Sequence, residues 1–170
     1  MRCLLCLSKM TELYYQDEIK SYGQVRQRSY WKCHDCLMLF LDPSLRLDRS
    51  QEKSRYLHHN NDIQDLRYIR FLSRLWEPMR ERLDSNASLY GLDFGCGPVK
   101  ALEALCQNAR WQVSSYDPFF FPDARLLEPK TYDFIFCSEV AEHLYEPRKV
   151  FQQLGSYLRP GGLLGVMTET

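Results

Sequence analysis

The sequence predicts an α/β protein, a mainly parallel β-sheet with helices wound on both faces, preceded by a small cysteine-bearing module. Three observations carry this reading. From Ser88 onward, apolar strand-like runs alternate with helix-like runs, and such alternation packs as a parallel sheet with right-handed crossovers. The first run ends in Asp93-Phe94-Gly95-Cys96-Gly97-Pro98, where two glycines allow positive φ and close approach of a ligand. Ahead of all this stand two Cys-x-x-Cys pairs, Cys3/Cys6 and Cys33/Cys36.

Length and charge set the limits. The chain has 170 residues, 45% hydrophobic and 14% aromatic, enough for one sizeable core and a small appendage. With 22 basic and 22 acidic side chains, it offers no global electrostatic case for nucleic acid or membrane. The N-terminal apolar residues are too few for a signal sequence, and no run approaches the roughly 18 apolar residues of a membrane span. A cytoplasmic location is the default. Seven cysteines, four of them in close pairs, suit a reducing compartment and a metal better than a disulfide framework.

The N-terminal module is read as residues 1–43. Each Cys-x-x-Cys places two thiolates on a tight turn, and bringing the turns together makes the sulfur tetrahedron that zinc prefers. Cys3, Cys6, Cys33 and Cys36 are therefore the expected ligands of a structural zinc ribbon. A redox site is the alternative, but redox pairs usually stand alone on a thioredoxin-like unit. Leu13-Tyr14-Tyr15 and Arg28 to Lys32 read as short strands around a turn at Ser21-Tyr22-Gly23. His34 could replace a cysteine as ligand.

Residues 44–62 turn polar and read as a linker. Within it, His58-His59-Asn60-Asn61 is most simply a solvated loop, since adjacent histidines point different ways on a helix or strand. Residues 63–170 form the second domain. Its leading segment, Ile63 to Leu83, carries Leu66, Ile69, Leu72, Leu75, Trp76, Met79 and Leu83 at helical spacing, an amphipathic helix lying on that domain.

The α/β part follows as strands Leu89–Phe94, Trp111–Tyr116, Tyr132–Ser138 and Leu163–Thr168, with helices Val99–Ala109 and Val150–Leu158 between them. Pro98 suits the first position of a helix, whose unpaired amides would face the turn. Ligands in such sheets lie at the carboxyl ends of strands. Asp93 stands at the first such end. Asp117, 22 residues beyond Gly95, stands at the second, where a carboxylate can accept two ribose hydroxyls. A dinucleotide site expects GxGxxG, and its third glycine position here is Lys100.

The spacing Asp93-x-Gly95-x-Gly97 instead resembles motif I of the class I S-adenosylmethionine-dependent methyltransferases. Downstream, Tyr132 to Leu144 resembles the family's fourth strand and following turn, and Leu158-Arg159-Pro160-Gly161-Gly162-Leu163-Leu164 resembles its turn into strand five. The resemblance covers residues 88–170, and the cysteine module is similar to one carried by a bacterial subgroup. It implies a Rossmann-like, doubly wound core, here cut short after strand five, and S-adenosylmethionine as cofactor beside Zn(2+). It also implies cofactor contacts from Asp93, Gly95, Cys96, Gly97, Asp117, Pro118, Ser138 and Glu139.

Methyl transfer from a sulfonium is an in-line displacement whose leaving group needs no acid, so positioning supplies much of the catalysis. His143 and Glu142 resemble the family's Glu-His pair near the transferable methyl, and histidine suits proton abstraction near neutral pH. Alternatively, Ser138 caps a following helix with Glu139 and Glu142 in its first turn. Related ubiquinone-pathway O-methyltransferases also make Glu139 and Glu142 conceivable ligands of a divalent cation. Asp133, at the start of its strand, reads as structural.

Three departures stand out. Val99 replaces a common third glycine. The interval from Asp117 to Tyr132 is short for the usual helix and third strand, though Phe119-Phe120-Phe121 could wall the adenine. The chain also stops where family members continue, which leaves Leu163 to Met167 as an apolar edge and reads as a fragment or a truncated protein. The leading expectation is methylation of a small-molecule acceptor. Methylation of RNA or protein, gripped by Arg26, Arg28, Lys32, Tyr30 and Trp31 of the ribbon, is the second. A non-catalytic cofactor-binding or interaction module is the third.

Overall fold

A computed structural model describes residues 1–21, 24–56, 62–106 and 110–168. The histidine pair at 58 and 59, with Asn60 and Asn61, lies outside the described residues, as do most of the turn expected at 21–23 and the end of the helix expected at 99–109. The chain divides into two compact units, Met1–Glu52 with Leu144–Val150, and Lys53–His143 with Phe151–Thr170.

In the first unit, β1 (Thr11–Ser21) and β2 (Gln24–Cys33) form an antiparallel hairpin, and β3 (Leu39–Leu41) pairs with the inner end of β2. The strands run well beyond the short segments expected. Ladder pairing supplies the reason, since Ile19 still faces Arg26 and Lys20 faces Val25 far out along the ribbon. A register irregularity between Leu13 and Tyr15 bulges β1 at Tyr14. Cys3, Cys33 and Phe40 form the small buried core.

The expected linker carries structure: a 3₁₀ turn at Pro43–Leu45 and a helix α1 (Arg49–Tyr56). Asp48 caps α1 by accepting the amides of Ser50 and Gln51, and Gln51 Oε1 accepts the Asp48 amide in return. That reciprocal capping box was written in Asp48-x-x-Gln51.

In the second unit, α2 (Leu66–Arg80) is shorter than the 63–83 expected. Asp65 fixes its start by accepting the Arg67 amide, so Leu66 is left 78% exposed rather than joining the core. A four-stranded parallel sheet follows, built of β4 (Leu89–Phe94), β5 (Trp111–Tyr116), β6 (Tyr132–Ser138) and β7 (Leu158–Met167) in the order β5-β4-β6-β7. The helix α3 (Ala101–Leu105) and, from Phe151 onward, the helix α4 (Pro147–Tyr157) complete the wound architecture. This is the Rossmann-like α/β arrangement that the alternation predicted.

The inner strand β6 is buried on both faces, which is why Phe134-Ile135-Phe136-Cys137 reads as a continuous apolar run. Phe134 and Phe136 face one way, toward Leu72, Leu75 and Met79 of α2 and Ala101 and Leu102 of α3. Ile135 and Cys137 alternate to the other face, and Leu92 is register-paired with Ile135; all three are fully buried. Trp76 meets Trp111 and Phe136 edge-on at 5.5 and 6.0 Å between ring centres. Gly165 stands where a Cβ would strike Met79 Sδ, so α2 lies directly on β7.

Two boundaries differ from expectation. The turn expected at Leu158–Gly162 is a bulge within β7, because Leu158 pairs with Tyr132 and Leu163 with Phe134, leaving Arg159 to Gly162 as slack. Pro98 is not the first residue of a helix, since α3 begins only at Ala101, with Lys100 as its cap position. Between Asp117 and Tyr132 the chain makes only a short bridge, Asp117 to Phe121, and a 3₁₀ turn at Ala124–Leu126. Among the described residues, the third strand and its helix are absent there. No helix among the described residues is long and apolar enough to cross a membrane.

Candidate functional site

The carboxyl ends of β4, β5 and β6 meet around the glycine turn. Gly95 and Gly97 have φ of +80° and +66°, the left-handed region that glycine enters without cost. A Cβ at Gly95 would collide with Val140 Cγ2, whereas one at Gly97 would meet nothing within 4 Å. Gly95 thus closes against the chain beyond β6, and Gly97 borders open space. Cys96 between them is buried, its Sγ 3.5 Å from the Gly97 carbonyl. Burial, foremost, raises its thiol, so it is a packed group rather than a reactive thiolate.

Asp117 holds the turn in shape. Its Oδ2 accepts the Gly97 amide at 3.0 Å, and its Oδ1 accepts the amides of Phe119 and Phe120 at 2.8 and 3.1 Å. A carboxylate has about four acceptor positions, so most of this one is spent tying two loops together. Its remaining capacity is what a ribose could use. Pro118 beside it is exposed.

Asp93 is different. It is 3% exposed and lies in a row across the sheet with Ser115 on β5 and Phe136 on β6. Its neighbour Glu103 on α3 accepts Ser115 Oγ at 2.6 Å. Burial, followed by the charges of Glu103 and Asp117, pushes the Asp93 carboxyl up to about 7. Tyr68 in the first turn of α2 faces the same place: burial, then Asp93 and Cys96, push its phenol up to about 12. Glu103 and Tyr68 went unnoticed in the sequence. Glu103 was legible as a polar residue on a short helix after a glycine turn, while Tyr68 looked like one more core aromatic.

After β6, Ser138 is half-buried and Glu139 takes φ of +53°. Such a conformation costs a non-glycine residue about 1 kcal/mol or more, and strain of this kind clusters at functional sites. The Glu139 amide donates to Met167 O, so the bend is held by β7. No α-helix begins here; Ala141–His143 is a single 3₁₀ turn, and the next helix is α4. The reading of Ser138 as a helix cap therefore fails. Glu142 is exposed and accepts Thr168 Oγ1 at 2.9 Å, and His143 is half-buried with its amide on Val140 O.

Asp133 lies at the opposite, amino end of the strands. It accepts the Tyr90 amide at 2.8 Å and Arg159 Nη1 at 2.9 Å, the structural position expected for it.

The two cysteine knuckles repeat one geometry. Leu7 and Leu37 amides return to the carbonyls of Cys3 and Cys33, and the amides of Cys3 and Cys33 donate to Ser8 O and Met38 O. Leu7 and Leu37, each following the second cysteine, share left-handed φ of 66° and 61°. Cys3 Sγ lies 3.6 Å from Cys36 Sγ and Cys6 Sγ 3.5 Å from Cys33 Sγ, with all four sulfurs within 4.8 Å of one another. Ligands about 2.3 Å from a tetrahedral centre stand roughly 3.8 Å apart, so the donor set fits a zinc-sized cation. Amides of Cys36 and Asp35 aimed at its sulfur pull Cys33 down to about 7, while burial pushes Cys36 up to about 12. His34 sits outside the cluster, 3.5 Å from Glu12.

The basic and aromatic residues of the ribbon are largely committed. Arg28 Nε donates to Asp17 Oδ1 at 2.9 Å and its guanidinium lies over Tyr30, Lys32 covers Tyr14, and Trp31 donates to Asp42. Alternation along β2 also sends Trp31 to the face opposite Arg28, Tyr30 and Lys32.

Comparison with known proteins agrees with this geometry. The ubiquinone biosynthesis O-methyltransferase of Colwellia psychrerythraea is 27% identical over 79 residues, 46% of this chain and 32% of that protein. The chain thus spans about a third of that relative's length. Residues 41–170 match the family described as a methyltransferase domain. With the parallel sheet, the glycine turn and the acids at its strand ends in place, the chain belongs to the methyltransferase domain family.

Proposed function

We propose that this chain carries out S-adenosylmethionine-dependent methyl transfer to a small-molecule acceptor, and that its four-cysteine module holds a structural zinc ion. The observation that carries the first part is the glycine turn: open space at Gly97, and buried acids at Asp93 and Asp117 beside Glu103, with Lys100 as nearby cation. Such a donor set suits a ligand with positive charge and hydroxyls. Bound there, S-adenosylmethionine supplies an electrophilic methyl on a sulfonium whose leaving group is a neutral sulfide.

The residues divide the work. Gly95 and Gly97 bring the backbone close, with Cys96 packed beneath them. Asp93 faces the cationic portion of the ligand, and Asp117, with Pro118, meets the ribose while keeping the turn closed. Ser138 and Glu139 border the methyl-transfer side. His143 takes the proton of an O–H or N–H acceptor, and Glu142, held by Thr168, orients that segment. A zinc site closed by four cysteines has no open position, so Cys3, Cys6, Cys33 and Cys36 stabilise the N-terminal unit rather than take part in chemistry. The domain division at residues 43 and 62 is part of this proposal.

Support for a small acceptor is twofold: Arg28 of the ribbon is neutralised by Asp17 of the same sheet, and the curated relative is named for ubiquinone biosynthesis. The test is a thermal-shift titration with S-adenosylmethionine and S-adenosylhomocysteine, with Asp117→Ala as control, followed by methyl-label transfer into fractionated cell extract. Stabilisation by both ligands and label in the small-molecule fraction are expected. A folded protein that neither ligand stabilises refutes the cofactor assignment, and label confined to RNA or protein refutes the acceptor class.

A further inference from the structure

The inference rests on the cofactor assignment above and concerns one residue of that site, Asp93. Among the described residues, no N–H or O–H donates to its carboxyl, although it is 3% exposed. Its acidic neighbours are served elsewhere: Glu103 takes the Ser115 hydroxyl, and Asp117 takes backbone amides. From α2 the Tyr68 phenol faces it, from the turn the Cys96 thiol, from α3 Glu103, and from the C-cap of α3 the Cys106 thiol. From β6 the residue beside it is the uncharged Phe136, while the Cys137 thiol lies on the opposite face of the sheet. The cation at the turn, Lys100, is directed to Glu103 at 3.8 Å and lies over the Phe121 ring. A buried carboxyl without a donor, between two acids, holds its proton.

We propose that Asp93 reads the charge of the cofactor: it keeps its proton in the ligand-free protein, releases it to solvent when the sulfonium ligand binds, and recovers one after methyl transfer. On binding, the Asp93 O–H bond breaks, its electron pair stays on the carboxylate and the proton goes to water. On transfer, the electron pair of the S–CH3 bond returns to sulfur, which becomes neutral, and Asp93 takes a proton from solvent. The ammonium of the amino-acid end is common to S-adenosylmethionine and S-adenosylhomocysteine, so the sulfonium charge distinguishes them. A unit charge several ångströms from a buried acid shifts its ionisation by on the order of a hundredfold. Asp93 thereby holds the donor with a full charge and the spent product without one.

Calorimetric titration of the whole chain in phosphate and in Tris, whose ionisation enthalpies differ, counts the protons. With a carboxyl near half-protonation at pH 7, S-adenosylmethionine should release about half a proton and S-adenosylhomocysteine distinctly less. Affinity for S-adenosylmethionine should rise about tenfold from pH 6 to pH 8, with little change for the product. Asp93→Asn should bind both without buffer-dependent heat, and Glu103→Gln should release less than the parent. Binding of S-adenosylmethionine without proton release overturns the inference and leaves the cofactor assignment standing, as does release that persists in Asp93→Asn. Absence of binding of either ligand to the folded protein overturns both. Should Asp93→Asn not fold, a carbon-13 carboxyl titration of the parent with and without each ligand decides, and an Asp93 signal that titrates identically in all three samples overturns the inference.

Discussion

Replacing Asp93 by asparagine removes an ionisable group from the carboxyl end of β4, and the stability effect can be worked out in advance. Raising a carboxyl from 3.8 to about 7 in the folded chain corresponds to roughly 4 kcal/mol at about 1.4 kcal/mol per tenfold in proton affinity. The sign follows from proton counts. Between about pH 4 and pH 7 the folded chain keeps a proton there that the unfolded chain has lost, so stability present at low pH is lost as pH rises. Part of that loss already occurs by pH 5, leaving about 2.5 kcal/mol between pH 5 and pH 8. Asparagine cannot ionise. Urea denaturation of parent and Asp93→Asn at pH 5 and pH 8 should show the parent losing about 2.5 kcal/mol more than the variant over that interval. Taking the difference between proteins cancels the other titrating groups. Identical pH dependence in the two would mean that Asp93 ionises like an exposed carboxyl, and the account of a buried acid crowded by Glu103 and Asp117 would be wrong.

Other expectations follow from single contacts. Gly95→Ala combines positive φ with a collision against Val140 and should cost about 3 kcal/mol or more; Gly97→Ala meets open space and should cost about 1–2 kcal/mol yet weaken cofactor binding, so denaturation and titration rank the two in opposite ways to a purely structural role for both. Asp133→Ala strands the Tyr90 amide and frees Arg159, costing about 1–3 kcal/mol with cofactor affinity unchanged; a weaker affinity would place Asp133 in the ligand edge after all. Zinc should be found at one ion per chain by elemental analysis, and Cys33→Ser or a strong chelator should unfold the N-terminal unit, since structural zinc contributes on the order of 10 kcal/mol in such modules. A hairpin whose circular dichroism survives chelation would show that the knuckles need no ion.

The inner strand β6 was readable because burial on both faces left a continuous apolar run. β4, β5 and β6 begin and end at the residues expected. Elements that depend on local polar contacts were harder to read. The start of α2 is decided by Asp65 accepting one amide, not by the apolar stripe that runs on to Ile63. α1 was hidden in a charged segment whose capping box, Asp48 with Gln51, carried the signal. β3 is three residues long and exists through pairing with β2, a contact invisible in a local pattern. At the site, the acids at strand ends were expected, but the sequence held no sign that Asp117 would spend its oxygens on Gly97, Phe119 and Phe120. Nor did it show that Glu139 would bend backward, where its amide donates to Met167 O and the next residue, Val140, lies close to Gly95.

The knot that Asp117 ties has an architectural meaning. Because it closes on Phe121, the turn that greets the ligand is finished before the chain reaches Pro122. From there to Tyr132 the chain needs only one 3₁₀ turn, tied down where Leu126 O accepts the Tyr132 hydroxyl, beside a β5 that has no strand neighbour on that flank among the described residues. Loop closure grows costlier only slowly with length. That flank is therefore the growth point of the domain, where a chain can gain or shed a strand while the machinery at the glycine turn stays as it was.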